Sequence, residues 1–129
     1  ITERYGAIWY NNKSEYFIQD PRELLFATDV LVSDVSAIIT DFLPLNRPIV
    51  YINVEDDDFW AMADLKAHDR AGTIANNIND LIDGVNQGIN NPNKYLEERL
   101  ALQRKVFYKL DGHSTERACQ SILDFMSIS

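Results

Sequence analysis

Residues Asp29 to Asn53 read DVLVSDVSAIITDFLPLNRPIVYIN and are the most informative segment of the chain. Its apolar start predicts a strand over residues 29–33, and the polar residues after it predict a turn. Apolar residues at helical spacing predict a helix over residues 36–45, and a second apolar run predicts a strand over residues 49–53. This order of elements is typical of an open parallel sheet. In such a sheet the turn after a strand faces the ligand crevice.

Strands and helices also alternate along the rest of the chain, which predicts an α/β fold: a Rossmann-like parallel sheet flanked by helices. We expect one domain over residues 1–129, long enough to bury a substantial core. The other predicted elements are one or two short strands in residues 1–20, a helix starting at Asp20-Pro21, a short helix near residue 60, a strand at residues 73–75, and helices from Asn76 or Asn77 to Val85, from 95 to 107 and from Ser114.

Three predictions concern burial, two of them on helices and one on a strand. In the helix that ends at Val85, the apolar residues Ile78, Leu81 and Ile82 fall on one face together with Val85, and such a face normally packs against the core. The single cysteine, Cys119, is expected to be a small buried residue of the last helix. Consecutive apolar residues in the strand at 29–33 suggest burial on both of its faces.

The composition is that of a globular protein and excludes several classes of function. Of the 129 residues, 46% are hydrophobic and 25% are charged, which argues against disorder. Acidic residues outnumber basic ones by 20 to 12, for a formal net charge of −8, so we expect no nucleic-acid partner. No apolar run approaches the ~20 residues that cross a bilayer. The chain opens with ITERYGAIWY rather than with Met, so we expect a piece of a longer protein.

Two turns are candidates for phosphate binding, Ser33–Ala37 and Gly112–Thr115. Both would offer hydroxyls and backbone N–H groups at the start of a helix. We expect them to meet at the carboxyl edge of the sheet. Plain N-capping by Ser36, and by Ser114 or Thr115, is the alternative interpretation, and it is compatible with binding because a capped helix still presents donors.

Asp41, His113 and an acidic run complete the candidates. Asp41 lies just over one helical turn after Ser36, where its carboxylate could accept hydrogen bonds from a ribose diol; a solvated carboxylate is the alternative. His113 could donate to a phosphate or stand in solvent. The acidic residues 56–58 lack the spacing and the glycine of a calcium loop, and two histidines far apart make no metal motif. We therefore expect neither a metal nor a cofactor.

These segments, in this order, resemble the CDP-glycerol glycerophosphotransferase family, the teichoic-acid polymerases and primases. DVLVSDVSAIITDF at 29–42, followed by RPIVY at 47–51, is similar to the family pattern aDvLItDYSSi..Df and kPiif. AGTIA at 71–75 with DLI at 80–82 is similar to its pG.iv and eLi segment, and DGHSTERA at 111–118 to its DGkasERv segment. The resemblance covers nearly everything beyond about residue 20, and three motifs in order are more specific than one.

The resemblance implies the C-terminal, donor-binding domain of a GT-B glycosyltransferase fold, with the N-terminal domain missing from this chain. It implies that the turn holds the diphosphate of CDP-glycerol, that Asp41 binds the ribose, and that Ser114 and Thr115 make a secondary phosphate contact. The residues implied in donor binding are Asp34, Val35, Ser36, Ala37, Asp41, Ser114 and Thr115, with His113 as a further candidate.

Three departures from the family pattern leave the donor's identity open. Val35 replaces the usual Tyr, Ala37 replaces the second Ser, and His113 stands where Lys is common. The family's catalytic histidines have no match here. We therefore expect no catalytic residue in this chain and no activity from it alone.

The function implied by the resemblance is transfer of glycerol phosphate from CDP-glycerol to a lipid-linked or polymeric acceptor, in teichoic-acid or related polymer synthesis. The implied location is the bacterial cytoplasm, at the inner face of the cell membrane for the full-length protein. Two alternatives stay open at this point. One is the donor domain of a GT-B glycosyltransferase that uses a nucleotide sugar, and the other is a non-catalytic α/β interaction module.

Overall fold

The computed structural model describes residues 6, 20, 22–34, 36–53 and 71–127. A parallel three-stranded sheet lies at its centre, with the strands in the order β1, β2, β3. The strands are β1 (Leu31–Ser33), β2 (Ile49–Ile52) and β3 (Thr73–Ala75), and the helices of the described part are α1 (Arg22–Ala27), α2 (Ala37–Phe42), α3 (Ile78–Asn90), α4 (Leu96–Val106) and α5 (Ser114–Ser127). The predicted α/β class is confirmed.

The register of the sheet brings the carboxyl ends of the three strands together. Ser33 pairs with Tyr51, and Tyr51 pairs with Ile74. Because all three strands run in the same direction, the residues that follow them emerge along one edge. The turn that the sequence singled out therefore lies at the carboxyl edge of the sheet.

Helices cover both faces of the sheet. Side chains alternate along β2: Ile49 and Tyr51 belong to the main core, whereas Val50 faces α3. The main core also contains residues of α1, α2, α4 and a 3₁₀ turn, Leu43–Leu45, that follows α2. These core residues are Leu25, Ile39, Phe42, Leu43 and Leu102. The sheet is thus the middle layer between α3 and the other helices of the core.

Helix α3 packs against the sheet through glycines, and the predicted apolar face is buried only in part, since Leu81 and Val85 are half-buried. A Cβ added at Gly84 would lie 3.1 Å from side-chain carbons of Val50 and Thr73. Any larger residue would have to push these side chains aside by a few tenths of an ångström. Ile78 and Ile82 are instead 65% and 52% exposed. The helix also runs past the predicted end at residue 85.

The predicted N-cap of α3 is confirmed at Asn77. Its side-chain oxygen accepts hydrogen bonds from the backbone N–H groups of Asn79 (2.9 Å) and Asp80 (3.0 Å). These bonds satisfy two of the N–H groups that a helix start leaves without an intrahelical acceptor. The cap fixes the start of α3 directly after β3.

Helix α4 is fastened to the chain segment that leads into β2. Gln103 Nε2 donates to the backbone oxygen of Leu43 and to Asn46 Oδ1, both at 2.6 Å. Asn46 adopts a left-handed conformation with φ 55°, which Asn tolerates better than most residues. The segment ahead of β2 is thus held to α4 by two hydrogen bonds from one side chain.

The same helix buries a charged side chain. Arg99 is 1% exposed, and its Nη2 donates to the backbone oxygen of Pro92 at 2.6 Å. Burial lowers the pKa of the Arg99 guanidinium from its usual value, because desolvation disfavours the charged form. The buried face of α4 is therefore partly polar, in contrast to the apolar face expected of a regular amphipathic helix.

Several boundaries and burial states differ from the sequence-based expectations. The helix predicted over residues 36–45 ends at Phe42 and continues as a 3₁₀ turn, Leu43–Leu45, since Pro44 has no N–H for an α-helical hydrogen bond. Val32 is 39% exposed, so β1 is not buried on both faces. Cys119 is exposed rather than buried, because α5 contributes no buried residue.

The strands predicted in residues 1–20 and the helix predicted near residue 60 lie outside the described residues. None of the described helices has the length and apolarity that spanning a bilayer requires.

Candidate functional site

The turn after β1 presents two serine hydroxyls and one carboxylate. Ser33 Oγ lies 3.3 Å from Ser36 Oγ and donates to Asp34 Oδ1 at 3.4 Å. Ser36 occupies the N-cap position of α2 with an extended backbone, yet its side chain makes no capping hydrogen bond. The plain-capping interpretation of the Ser36 hydroxyl is therefore not supported. Asp34 and Ser36 are both exposed at this edge.

Two asparagines that the sequence analysis missed lie at the same edge. Asn53 follows β2 and Asn76 follows β3, and Asn53 Nδ2 donates to Asn76 Oδ1 at 2.8 Å. The backbone of Asn53 also donates to the oxygen of Ala75 at 2.9 Å. The signal for them was present in the sequence, because each is a polar residue directly after an apolar strand. The carboxyl edge thus combines the hydroxyls of the turn after β1 with an amide pair from the segments that follow β2 and β3.

Asp41 lies on the last turn of α2, away from the serine turn. It comes five positions after Ser36, which corresponds to a rise of about 7.5 Å along a helix axis. Its carboxylate is exposed and contributes to the electrostatic field at Arg22, whose pKa is raised mainly by the side-chain hydrogen bond to Asp20. No contact within the described residues joins Asp41 to Ser33, Asp34 or Ser36. The proposed role of Asp41 at a ribose stays a prediction.

The second candidate turn lies with a different part of the fold. Gly112 and Ser114 line a groove of about 630 Å³ together with Pro44 of the 3₁₀ turn. The chain leaves β1 at the carboxyl edge and returns through α2 and this 3₁₀ turn to the start of β2, so Pro44 lies towards the amino edge. The expected meeting of the two turns is not seen among the described residues. The physical reason is that α4 is fastened beside the 3₁₀ turn, and the chain emerges from α4 there.

An ion pair that the sequence analysis did not single out closes the second turn. Arg117 Nη1 lies 2.8 Å from both carboxylate oxygens of Asp111, and its guanidinium stacks 5.7 Å from the ring centroid of Tyr108. The hydrogen bond from Arg117 lowers the pKa of the Asp111 carboxyl. The Asp-Gly turn followed six residues later by Arg was the signal for this pair.

The remaining predicted residues of this turn face solvent. His113 Nδ1 lies 2.6 Å from Glu116 Oε2, and both side chains are exposed. Ser114 and Thr115 are exposed at the first positions of α5.

Two predicted residues of the first turn remain. Val35 lies outside the described residues, and Ala37 is the first residue of α2.

Among the described residues, those that directly follow the three strands include an acid, Asp34, but no Lys or Arg. Asp34 stands on the turn itself, and Asp80 accepts hydrogen bonds from Asn76 and Asn77 at the start of α3. No group of three metal-ligating side chains occurs among the described residues. A negatively charged ligand at this edge would therefore need cations from beyond the described part of the chain.

Comparison with known proteins gives a family assignment. The family described as CDP-Glycerol:Poly(glycerophosphate) glycerophosphotransferase matches residues 4–124. The chain belongs to this family. The match includes the serine turn, the asparagine pair and the segment around Asp111, so all the groups described above fall inside it.

Two curated relatives are transferases or polymerases of teichoic acid by name. The chain is 30% identical over 109 residues to the teichoic acid glycerol-phosphate transferase of Staphylococcus aureus, a match that covers 81% of this chain and 28% of that protein. It is 26% identical over 128 residues to the teichoic acid poly(ribitol-phosphate) polymerase of Bacillus spizizenii, covering 95% of this chain and 19% of that protein. The chain thus spans less than a third of the length of these relatives. No solved structure matches it significantly.

Proposed function

We propose that this chain is the donor-binding part of a transferase that moves glycerol phosphate from CDP-glycerol to a hydroxyl of a lipid-linked or polymeric teichoic-acid-type acceptor. The family match over residues 4–124 is the observation that carries this proposal. The N-terminal domain of a GT-B fold would form the opposite wall of the cleft and would supply the catalytic base. This chain would bind and orient the donor.

The donor diphosphate is assigned to the serine turn after β1. In open parallel sheets, ligands bind outside the carboxyl ends of the strands, and the Ser33 and Ser36 hydroxyls lie side by side there. Ser36 can turn its hydrogen to a phosphate oxygen, whereas the single hydrogen of Ser33 is donated to Asp34. Helix α2 has only six residues, so the assignment rests on these hydroxyls and on the backbone N–H group of Ala37 at the start of that helix. The dipole of such a short helix adds little.

Asp34 acts at this turn as an acceptor. An ionised carboxylate has no hydrogen to donate to a phosphate oxygen, and it would repel a diphosphate at close range. The hydrogen bond from Ser33 occupies the only hydrogen of that hydroxyl, so Asp34 orients Ser33, and Ser33 has to turn away from Asp34 before it can donate to a phosphate. Asp34 is therefore a positioning residue in this proposal.

The nucleoside is assigned to the neighbouring amide pair. The hydrogen bond between Asn53 and Asn76 leaves one amide oxygen and one amide nitrogen for a ligand, which suits a base edge with a donor beside an acceptor. Asp41 is the candidate for the ribose hydroxyls, provided that the ligand extends along α2. We give Ser114, Thr115 and His113 no share in the same diphosphate, because Gly112 and Ser114 of their turn line a groove with Pro44. A separate phosphate contact is their proposed role.

The chemistry asked of this chain is positioning. The acceptor hydroxyl attacks the β-phosphorus of the donor, the bond from that phosphorus to the bridging oxygen breaks, and CMP leaves. Positive charge has to be placed around the phosphoryl group as this happens. Since the described edge is acidic, we expect the cations and the general base to come from elsewhere in the full-length protein.

Calorimetric titration of the full-length protein tests the choice of donor. CDP-glycerol, CDP-ribitol, a UDP-sugar and a GDP-sugar are compared under identical conditions. Tightest binding of CDP-glycerol supports the proposal. Tightest binding of CDP-ribitol indicates instead that ribitol phosphate is the transferred group, in line with the name of the poly(ribitol-phosphate) polymerase. Preference for a nucleotide sugar supports a GT-B glycosyltransferase instead. No binding of any of the four contradicts a donor site and supports a non-catalytic module.

A further inference from the structure

The guanidinium of Arg99 is a buried cation without an acid paired to it. Arg99 is 1% exposed, and none of the ion pairs among the described residues includes it. Its Nη2 donates to the backbone oxygen of Pro92, whereas its Nε donates to no acceptor in the described part of the chain. An arginine keeps its charge at neutral pH, and a buried charge is strongly unfavourable unless it is paired and hydrogen-bonded. Arg99 therefore lacks a counter-charge.

Glu98 does not supply that counter-charge. Burial lowers the pKa of the Arg99 guanidinium, and the field of Glu98 opposes this only in part. Side chains of consecutive helix residues do not face each other, and Glu98 is only half-buried. The Glu98 carboxylate thus acts on Arg99 from a distance and leaves its Nε without an acceptor.

A small cavity lies against Arg99 at the amino edge of the sheet. Its walls include Ile49 and Thr73, the first residues of β2 and β3, together with one side of α3 and the start of α4. The cavity has a volume of about 10 Å³, which is room for one particle about the size of a water molecule. Lys94 also lines it and is exposed, so an ion can enter from solvent.

The side chains around this cavity offer more donors than acceptors. Lys94 Nζ donates to Gln87 Oε1 at 2.7 Å, and Thr73 Oγ1 donates to the same oxygen at 3.3 Å. Arg99 Nε, the other ammonium hydrogens of Lys94 and the amide nitrogen of Gln87 are all donors. A water molecule needs acceptors for its own two hydrogens, whereas an anion needs only donors. Two cations and a surplus of donors therefore favour an anion in the cavity.

We propose that this cavity binds one monoatomic anion of the chloride class, held by Arg99 and Lys94. A phosphate or a carboxylate has several oxygens and is too large for a space that holds one particle the size of water. The anion neutralises a buried charge that the fold otherwise leaves unpaired, and it ties α4 to α3 and to the starts of two strands. Its effect is to stabilise this corner of the domain.

The anion site is independent of the proposed donor site. Ile49 and Thr73 begin their strands, whereas the serine turn follows the end of β1. The two sites therefore lie at opposite edges of the parallel sheet, separated by roughly the length of β2, which has four residues and is about 13 Å long. The anion site requires neither CDP-glycerol nor a further domain.

Hydrogen exchange of the α4 amides in the full-length protein tests the site. Chloride replaces gluconate at constant ionic strength, because gluconate is too large for the cavity but screens charges equally. An ion that binds only the closed state slows exchange by a factor of one plus its concentration over its Kd, about tenfold at about ten times the Kd. The amides of α5, which does not line the cavity, should not respond. In crystals soaked in bromide, anomalous scattering should place the ion beside Arg99.

The variant for this test is Lys94→Gln, because replacement of the buried Arg99 itself can unfold the domain. Loss of a charged donor should raise the Kd for chloride at least about tenfold. The matched control is Lys109→Gln. Lys109 is exposed and lies 5.4 Å from the ring centroid of Tyr108, much as Lys94 lies 5.0 Å from that of Tyr95. The control makes the same change in net charge and should keep the wild-type Kd.

Each result supports or overturns the proposal. Chloride-dependent slowing in the wild type and in K109Q, weakened in K94Q and accompanied by bromide beside Arg99, supports it. Equal exchange in chloride and gluconate overturns it and assigns the cavity to water. An equal chloride effect in K94Q and the wild type places the ion elsewhere, and a bromide peak without slowing shows an adventitious ion only; both overturn it. Because no nucleotide is used, the result is separate from failure of the donor site.

Discussion

Ser33 Oγ and Ser36 Oγ lie 3.3 Å apart across the turn that follows β1. The Ser36 hydroxyl is engaged with Ser33 and does not cap α2. Two hydroxyl groups are therefore held together at the carboxyl edge of the sheet, next to the Asn53–Asn76 amide pair. This pairing turns an ordinary loop into a candidate phosphate site.

Replacement of Gln103 by Leu should destabilise the fold. Gln103 Nε2 is the donor that ties α4 to Leu43 and Asn46, and its loss leaves a buried acceptor short of a partner. We expect a loss of about 1–2 kcal/mol in the free energy of unfolding, at the lower end because the Leu43 oxygen still accepts from the backbone of Asn46. Urea unfolding measures it.

The matched control for this prediction is Gln120→Leu. Gln120 is an exposed residue of α5 that bonds only Asp124 in the next turn, so its replacement should change the free energy by less than about 0.5 kcal/mol. Equal effects of the two substitutions would show that the Gln103 bonds contribute nothing specific.

Gly72→Ala should be destabilising because the backbone of β2 passes very close. A Cβ at this position would overlap the Ile49 carbonyl group, well inside van der Waals contact. The backbone of β2 would therefore have to move. Overpacking of this kind costs about 1–3 kcal/mol. Thermal or urea unfolding is compared with Asn86→Ala, an exposed α3 residue. A G72A variant as stable as the wild type would contradict the observed approach of the two segments.

Asp20 should titrate far below an ordinary carboxyl. Hydrogen bonds from the Arg22 side chain and backbone lower its pKa from 3.8 to about 2. A depressed folded-state pKa means that the unfolded chain binds the proton more tightly. The stabilising contribution of the pair is therefore complete above about pH 4 and is lost as the pH falls through about 2.

A carbon-13 NMR titration of the Asp20 carboxyl measures this pKa directly. In Arg22→Gln the midpoint should return towards the usual value, because the charged donor is gone. A midpoint near 3.8 in the wild type would show that the Asp20–Arg22 bonds do not persist in solution.

The fold class and most element positions could be predicted from the sequence because they follow from local patterns. Apolar runs gave β2 and β3, and Asn77 marked the start of α3. The burial of α3 could not be predicted from those patterns. Its contact with the sheet goes through Gly84, and a hydrophobic periodicity takes no account of a residue without a side chain.

The candidate site could likewise be predicted only in part from local sequence patterns. The serine turn was predictable, because a polar turn after an apolar strand in a parallel sheet has only one edge to face. The placement of Ser114 was not predictable, because it depends on where α4 carries the chain. That path is set by the long-range bonds from Gln103 to Leu43 and Asn46, which leave no trace in local sequence.

The double substitution Ser33→Ala with Ser36→Ala, titrated with CDP-glycerol in the full-length protein, shows whether the serine turn binds the donor phosphate. Hydrogen bonds to a charged phosphate are worth about 1.5–3 kcal/mol each, so we predict that the Kd rises at least about tenfold. Ser127→Ala removes another exposed, hydrogen-bonded hydroxyl from α5 and should leave the Kd unchanged. An unaltered Kd in a correctly folded double variant would contradict a donor phosphate site at this turn.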